Sequence, residues 1–424
     1  MSDANPKSAA HAEHYERLLA EASQVKGTSL WKDAWRRLKR NWVAMVALFY
    51  LGGLVVLAFF TPLLPLQSPI KQELKFRQFL PPHLSPERTF DTDKRRDAPQ
   101  DVKYIDLGLT PKLQAIDAAE EQLASATTEQ SKKEASEQLE EAENAYRSTI
   151  NQLWNNPGPL TRAMIRARVA IMGDFSLPSL FGTDHLGRDV LARVFWGARV
   201  SLIVGIVATL VSLVIGVSYG ATAGYVGGWV DNAMMRIVDI LYSIPFIFVV
   251  IFIITLLNEE QVKAKLASYG LNKITLFYII IGAIYWLTMS RVVRGQVISL
   301  KNDQFIEAAR TIGASRMRII FVHLIPNVLS IVIVYLTLTI PAVMLFEAFL
   351  SFLGLGVDPP EVSWGLLANE GAKVLAPSNE DVWQATIFWW LVVFPGLALA
   401  FTLFALNFLG DGLRDALDPR MKNR

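Results

Sequence analysis

The stretch Val200-Ser201-Leu202-Ile203-Val204-Gly205-Ile206-Val207-Ala208-Thr209-Leu210-Val211-Ser212-Leu213-Val214-Ile215-Gly216-Val217-Ser218-Tyr219-Gly220-Ala221-Thr222-Ala223 contains no Asp, Glu, Lys or Arg. The hydrocarbon core of a bilayer is about 30 Å thick and takes about 20 apolar residues of helix, so this run is long enough to cross it. The uncharged run continues to Val230, with its apolar part ending near Ala223. Working outward, five further stretches have the same character: Trp42 to Phe60, Ile240 to Leu257, Ile274 to Ser290, Leu324 to Phe346 and Val382 to Gly410. Backbone N–H and C=O groups cannot stay unpaired in lipid, so each is expected to be a helix. Hydrophobic residues make up 52% of the chain, above the usual content of a soluble domain. The expected fold class is all-α: a polytopic membrane bundle of six helices with a large, partly helical extracytoplasmic insertion between helices 1 and 2.

Within the deciding stretch, Ser212, Gly216, Gly220 and Gly224 recur every fourth residue. Small side chains on one stripe let a second helix come close, so the spans are expected to form a packed bundle. Pro245, Pro341 and Pro395 lie in or near spans; each removes a backbone hydrogen bond and can kink its helix.

Lys and Arg flanking the spans set the orientation. Eight lie in residues 1–41, six in 291–323 and four after Gly410, against three in 258–273 and one in 354–381. This bias places both termini and the 291–323 connection in the cytoplasm. The 61–199 segment holds 18 Lys and Arg, but segments of that length translocate largely regardless of charge. The organisation expected is a cytoplasmic segment 1–41, a first span 42–60, an extracytoplasmic segment 61–199, a core 200–410 with five spans, and a tail 411–424. A largely polar stretch of 41 residues precedes the first span and no small-x-small site follows it, so it is expected to stay as an anchor. Trp31, Trp35, Leu38 and Trp42 recur at i, i+4, i+7 and i+11, with Lys32, Arg36, Arg37, Lys39 and Arg40 between them. That pattern predicts a helix lying in the membrane interface; a generic cationic anchor has the same composition.

The long segment is rich in Pro and charge up to about Thr110. From Pro111 to about residue 154, strong helix formers dominate, with apolar points at Leu113, Ile116, Leu123, Leu139, Tyr146, Ile150 and Leu153. A bend at Thr127-Thr128 suggests a helical hairpin, readable as a platform for an external partner or as a solvated insertion. Glycine turns at Gly182-Thr183-Asp184 and Gly187-Arg188-Asp189 then lead into the second span. Glu347 interrupts an otherwise apolar run. A carboxylate there is costly and marks either a relay or cargo site or a hydrogen-bonded acid facing the bundle.

The connection Lys301-Asn302-Asp303-Gln304-Phe305-Ile306-Glu307-Ala308-Ala309-Arg310-Thr311-Ile312-Gly313-Ala314, ending at His323-Leu324-Ile325-Pro326-Asn327, predicts a short helix across one face of the membrane. Asn302 or Asp303 can cap its start and Gly313 can end it in the left-handed conformation. A second short helix from Ser315 to about His323 follows, and Pro326 restarts the chain as a span. The alanines present little bulk to an approaching surface, and Glu307, Arg310, Arg316 and Arg318 offer it charge.

Glu307-Ala308-Ala309 with Gly313 and Pro326 resembles the EAA loop of binding-protein-dependent ABC permeases. Gly182-Thr183-Asp184-x-x-Gly187-Arg188-Asp189 resembles the entry motif of their peptide and nickel branch. Phe346-Glu347-Ala348-Phe349-Leu350-Ser351-Phe352-Leu353-Gly354-Leu355-Gly356 and Gly410-Asp411-Gly412-Leu413-Arg414-Asp415-Ala416-Leu417-Asp418-Pro419 look closest to the C permease of oligopeptide importers. The resemblance covers about 28–60 and 175–424; Ile325 stands where the family usually has Leu, and the insertion near 65–160 departs from the family.

It implies a membrane-spanning permease of the six-helix ABC importer type, with no catalysis of its own. Its partners would be a homologous second permease, one or two cytoplasmic ATPases and an extracytoplasmic solute-binding protein, in contact with membrane lipid. Glu307, Ala308, Ala309, Arg310, Gly313, Ala314 and Pro326 would couple it to an ATPase. ATP and Mg would be bound by the ATPases. This chain has no Gly-x-x-x-x-Gly-Lys-Ser/Thr loop and is expected to hold no cofactor. The resemblance identifies no cargo-contacting residue in this chain, since peptide specificity in the family rests largely on the external binding protein.

Other classes are poorly served. The net charge of +2 gives no reason to expect nucleic acid, and the absence of cysteine excludes disulfides and thiolate sites. His11 and His14 are the only neighbouring histidines, in a polar stretch, and no metal site is expected. An ion-coupled secondary transporter is the alternative; it would need ionisable residues inside several spans, and Glu347 is the one well inside an apolar run. An embedded enzyme would need a clustered constellation that is not evident.

Overall fold

A computed structural model describes residues 30–74, 77–82, 107–257, 259–269, 273–375 and 388–417. Among them the chain is helical, with no strand beyond one isolated bridge between Thr183 and Asp189. His11, His14 and His83, the stretch 376–387 and the end from Asp418 lie outside the described residues.

Helix α1 (Leu30–Arg40) and the first span α2 (Trp42–Phe59) are separated at Asn41, whose extended backbone breaks the helix and whose side chain accepts from the Ala44 N–H at 3.2 Å. The tryptophan stripe divides. Trp35 and Trp42 are exposed, whereas Ala34 and Leu38 are buried against Ala44 and Ala416. So α1 is part apolar surface and part packing element, and it clamps the end of the last helix.

The insertion forms the hairpin α3 (Thr110–Ser125) and α4 (Glu129–Trp154), turning at 126–128, followed by α5 (Pro159–Met172). It has its own core of Leu109, Leu113, Ile116, Tyr146, Ile150 and Val169. The carboxylate of Asp174 accepts from the N–H groups of Leu109 and Thr110, placing negative charge at the start of α3, where the helix dipole favours it. Trp196 joins this core from the next helix, and Ser68 donates to the Leu153 carbonyl at 2.6 Å. The insertion is therefore seated on the bundle.

The second span, α6 (Val190–Val226), starts ten residues before the uncharged run. Asp189 caps it, accepting from the Ala192 N–H at 2.6 Å. The third predicted span differs most. Instead of one helix over 240–257, the chain forms α7 (Gly228–Ser243) and α8 (Phe246–Leu257), bent by 81°. Pro245 disfavours the helical conformation of the residue before it, and Ile244 is extended. A short helix α9 (Glu260–Ser268) leads to α10 (Lys273–Leu300). After α11 (Gln304–Thr311), one helix α12 runs from Arg316 to Phe352. Then come α13 (Trp364–Leu375) and α14 (Trp390–Leu417). Helix α14 continues past Gly410, so the first seven residues of the expected tail belong to the bundle.

Five of these helices are long and apolar enough to cross a membrane, and the bent pair makes a sixth. The glycine contacts show that the pair must traverse. Gly216 of α6 lies against Met289 of α10, Gly220 against Ser290 and Arg294, and Gly224 against Arg294 and Val297. Both sequences advance together, so α6 and α10 are parallel, and the chain between them has to return across the bundle. On the other side, Gly205 meets Met344 and Ile340, while Val217, farther along α6, shares a core with Val328 and Val332, which makes α12 antiparallel to α6. Gly410 meets Thr337, and Gly412 meets Ala44, so α14 packs between α12 and α2. The ends of α10 and α14 and the starts of α2 and α12 thus share one end of the bundle with α11; the insertion sits at the other.

Candidate functional site

At the α11 end, the chain turns twice within a few residues. Asp303 is the N-cap, its carbonyl accepting from Ile306 and Glu307, but its side chain makes no cap bond. The other end is a Schellman motif: the Ala314 N–H donates to the Ala309 carbonyl and the Gly313 N–H to the Arg310 carbonyl, both at 3.0 Å. The motif requires a left-handed residue, and Gly313 has φ +82°. Ser315 then caps α12 by accepting from the Arg318 N–H.

This geometry splits the predicted coupling residues. Glu307, Ala308, Arg310 and Gly313 are exposed, Ala314 is half-buried, and Ala309 is buried with Ile306 against Ile319, Ile320 and Leu324. Ala309 therefore holds the helix down and offers no surface. Arg310 turns back: its guanidinium lies 5.4 Å from the ring centre of Tyr225, near the end of α6. The free surface is more apolar than the charges suggested. Ile312 is 84% exposed and Met317 63% exposed, with Phe305 and Phe321 also open. These four were missed. The available signal was an apolar residue out of phase with the Ile306 and Ala309 side of α11.

Pro326 does not restart the chain. Residues Ile319–Leu324 form a π turn inside α12, and the Ile325 N–H reaches the Ile320 carbonyl, five residues back. Proline lacks the N–H and crowds the preceding turn; a wider turn relieves both and keeps the helix continuous. Helix α11 is thus joined to α12 through a four-residue connection, 312–315, and through the core that both share with α6 and α10.

Ser212, Gly216, Gly220 and Gly224 are all buried on the α10 side of α6 or beside it. Gly282 of α10 supplies a reciprocal close approach to Ala208 and Val211. At the lower part of this interface, Arg294 pairs with Asp231 of α7 through two bonds of 2.5 and 2.6 Å.

At the opposite end, the segment from Gly182 to Asp189 is a tightly tied knot. A Cβ on Gly187 would fall on the Glu73 carbonyl. Asp184 pairs with Arg188 at 2.7 Å and Arg193 at 2.6 Å, and Glu370 of α13 pairs with the same two arginines at 2.9 and 2.5 Å. Burial opposes ionisation of Asp184, but Arg193, Arg188 and two backbone N–H groups outweigh it and hold the carboxyl below its ordinary range. Glu370 is lowered against burial in the same way, chiefly by Arg193. Burial dominates at Asp189, pushed up to about 6. Glu370 was not legible in the sequence, because its arginines lie 177 and 182 residues away.

Glu347 is fully buried. Its Oε1 accepts from Ser351 at 2.7 Å, and Ser351 lies within 3.4 Å of Ser363, just before α13. Gly365 of α13 packs on Ala348. The acid sits where α12, α13 and α6 meet. Among the described residues, no group of three or more His, Cys, Asp or Glu could hold a metal ion.

Residues 216–423 match the family described as binding-protein-dependent transport system inner membrane component, and residues 29–82 match the N-terminal TM domain of oligopeptide transport permease C. The oligopeptide transport system permease protein OppC of Escherichia coli is 50% identical over 240 residues, covering 57% of this chain and 72% of that protein. The glutathione transport system permease protein GsiD of Shigella flexneri is 42% identical over 249 residues, 58% and 74% of the two chains. The dipeptide transport system permease protein DppC of Bacillus subtilis is 39% identical over 242 residues, 57% and 69%. The matched 216–423 include α11, α12 and α14, while most of the insertion lies between the two matched ranges. The ion-coupled alternative is set aside, and the chain belongs to the family of binding-protein-dependent transport system inner membrane components.

Proposed function

We propose that this chain is one permease half of an ATP-driven importer that carries peptides, oligopeptides in particular, across the bacterial inner membrane. The observation that supports this best is the capped helix α11, held against the α6, α10 and α12 core, with Ile312 and Met317 exposed just beyond its end. In this reading that face docks on a cytoplasmic ATPase, both chain termini share its side, and the insertion is extracytoplasmic. A homologous permease completes the pathway, a solute-binding protein delivers cargo, and the ATPases alone hydrolyse ATP. The peptide assignment rests on the printed names of relatives that transport oligopeptides, dipeptides and glutathione.

Gly313→Val tests the coupling element. A β-branched residue in the left-handed region costs about 1–2 kcal/mol, enough to undo the Schellman turn but not a six-span bundle. Membrane levels should match wild type, while peptide uptake and cargo-stimulated ATP hydrolysis of the assembled importer fall at least about tenfold, as for a lost coupling term of about 1.4 kcal/mol or more. Normal uptake at normal expression would refute the assignment. Orientation is tested by reporter fusions. One placed after Ile150 should be active only outside and one after Gly313 only inside; the reverse pattern would invert the topology.

A further inference from the structure

Helix α5 (Pro159–Met172) is apolar on two opposite sides. One side is covered: Ile165 and Val169 are buried in the core of the insertion, and the buried Arg168 donates to the Phe175 carbonyl at 3.1 Å. The other is open. Leu160, Ala163, Ala167, Ala170 and Ile171 are exposed at helical spacing, with Ile171 at 77%, and Met172 and Phe175 extend the stripe past the helix end. An ordinary surface helix would carry polar residues there.

The position of α5 indicates what covers the stripe. The helix packs on the turn Thr61–Leu63, which directly follows the first span. Beyond it, the Leu177 N–H donates to the Pro65 carbonyl at 2.7 Å, and Gln67 donates back to the Leu177 carbonyl at 2.8 Å. The C-terminal end of α5 is thereby held at the level where α2 leaves the bilayer. There α2 presents the exposed side chains Val55, Val56, Phe59 and Phe60. Arg166 stands on the solvent margin of α5, 3.7 Å from Glu120.

We propose that α5 is an interfacial membrane helix whose Leu160, Ala167, Ile171 and Phe175 face enters the headgroup–acyl boundary of the phospholipid bilayer beside the end of α2. The partner is the lipid surface, recognised by apolar area at interfacial depth with cations at its edge. The hairpin α3–α4, packed on α5, is then carried on a membrane-seated base. This rests on the chain crossing the membrane, not on the identity of its cargo.

The chain contains no cysteine, so each single-cysteine variant, labelled before assembly with its partners, carries one fluorophore at a known position. An environment-sensitive fluorophore is attached at Ala167→Cys, Ile171→Cys, Glu137→Cys on α4 and Val56→Cys on α2, in the assembled importer in phospholipid nanodiscs. Quenching is compared between a nitroxide on the lipid near the headgroup and iodide in water. At positions 167 and 171 the lipid nitroxide should quench several-fold more than iodide, and position 137 should show the reverse. Iodide quenching at 167 and 171 would show a solvated face and overturn the proposal. Protection from both quenchers would show a protein partner on the stripe and overturn it equally. Position 56 must be quenched from lipid in any chain that crosses the membrane, so its failure would identify an error in the span and not in α5.

Discussion

Gly220→Leu is expected to unfold the bundle well below the wild-type midpoint, with a loss of about 3 kcal/mol or more, at the upper end of what overpacking costs. A Cβ on Gly220 would land on the Ser290 carbonyl and 3.0 Å from the Arg294 amide, both backbone atoms of α10. Backbone cannot swing aside as a side chain tip can, so the two parallel helices have to separate. Separation also lifts Gly216 from Met289 and Gly224 from Val297, losing dispersion contacts along the stripe. These contacts are a main source of cohesion in lipid, where apolar burial itself gives little. Gly53→Leu is the control, since nothing lies within 4 Å of a Cβ there. Denaturation of the purified variants in detergent, followed by circular dichroism, reads the difference. Equal midpoints for Gly220→Leu and wild type would mean that α6 and α10 do not pack along this face.

Arg193→Ala should be comparably severe, at about 3–5 kcal/mol, the usual cost of removing one partner from a buried charge group. Arg193 is 1% exposed and bonds both Asp184 and Glu370. Without it, two nearby carboxylates share Arg188 alone. The pH dependence gives a second readout. In the wild type both carboxyls are held below their ordinary values near 4, so their stabilisation is present above that range and fades as pH falls through the lowered values. In the variant they bind protons more readily, which relieves the repulsion. The gap between the two proteins should be widest near neutral pH and narrow towards pH 4. A gap independent of pH would show that Arg193 acts through packing and not through charge.

The parts of the fold that were legible in the sequence are those that follow from local rules. Apolar length located the spans, the four-residue recurrence from Ser212 to Gly224 located the close contact, and Gly313 marked the end of α11. What stayed hidden depends on who faces whom. In residues 240–257 the apolar run is continuous, and Pro245 marks a place where the helix can kink without fixing an 81° bend. The wide turn at Ile319–Leu324 is a response to a proline that follows it, so Pro326 read as a beginning when it is an accommodation. Glu370 carries no local signal in the sequence; only the fold sets it against Arg188 and Arg193. The stripe on α5 escaped notice because alanines carry little hydropathy, and only burial of the opposite side shows that the open one is apolar too.

The unbroken run of α12 has a mechanical consequence. At a rise of about 1.5 Å per residue its 37 residues form a rod of about 55 Å. The capped turn at Gly313 sits at one tip, and Glu347 with the α13 contact lies near the other. A stiff rod pivoting about one tip magnifies angle into travel. A tilt of about 10° imposed at the α11 end would sweep the far tip by about 10 Å, simple geometry on that length. Small displacements at α11 therefore need no relay of side-chain changes to be felt across the whole membrane.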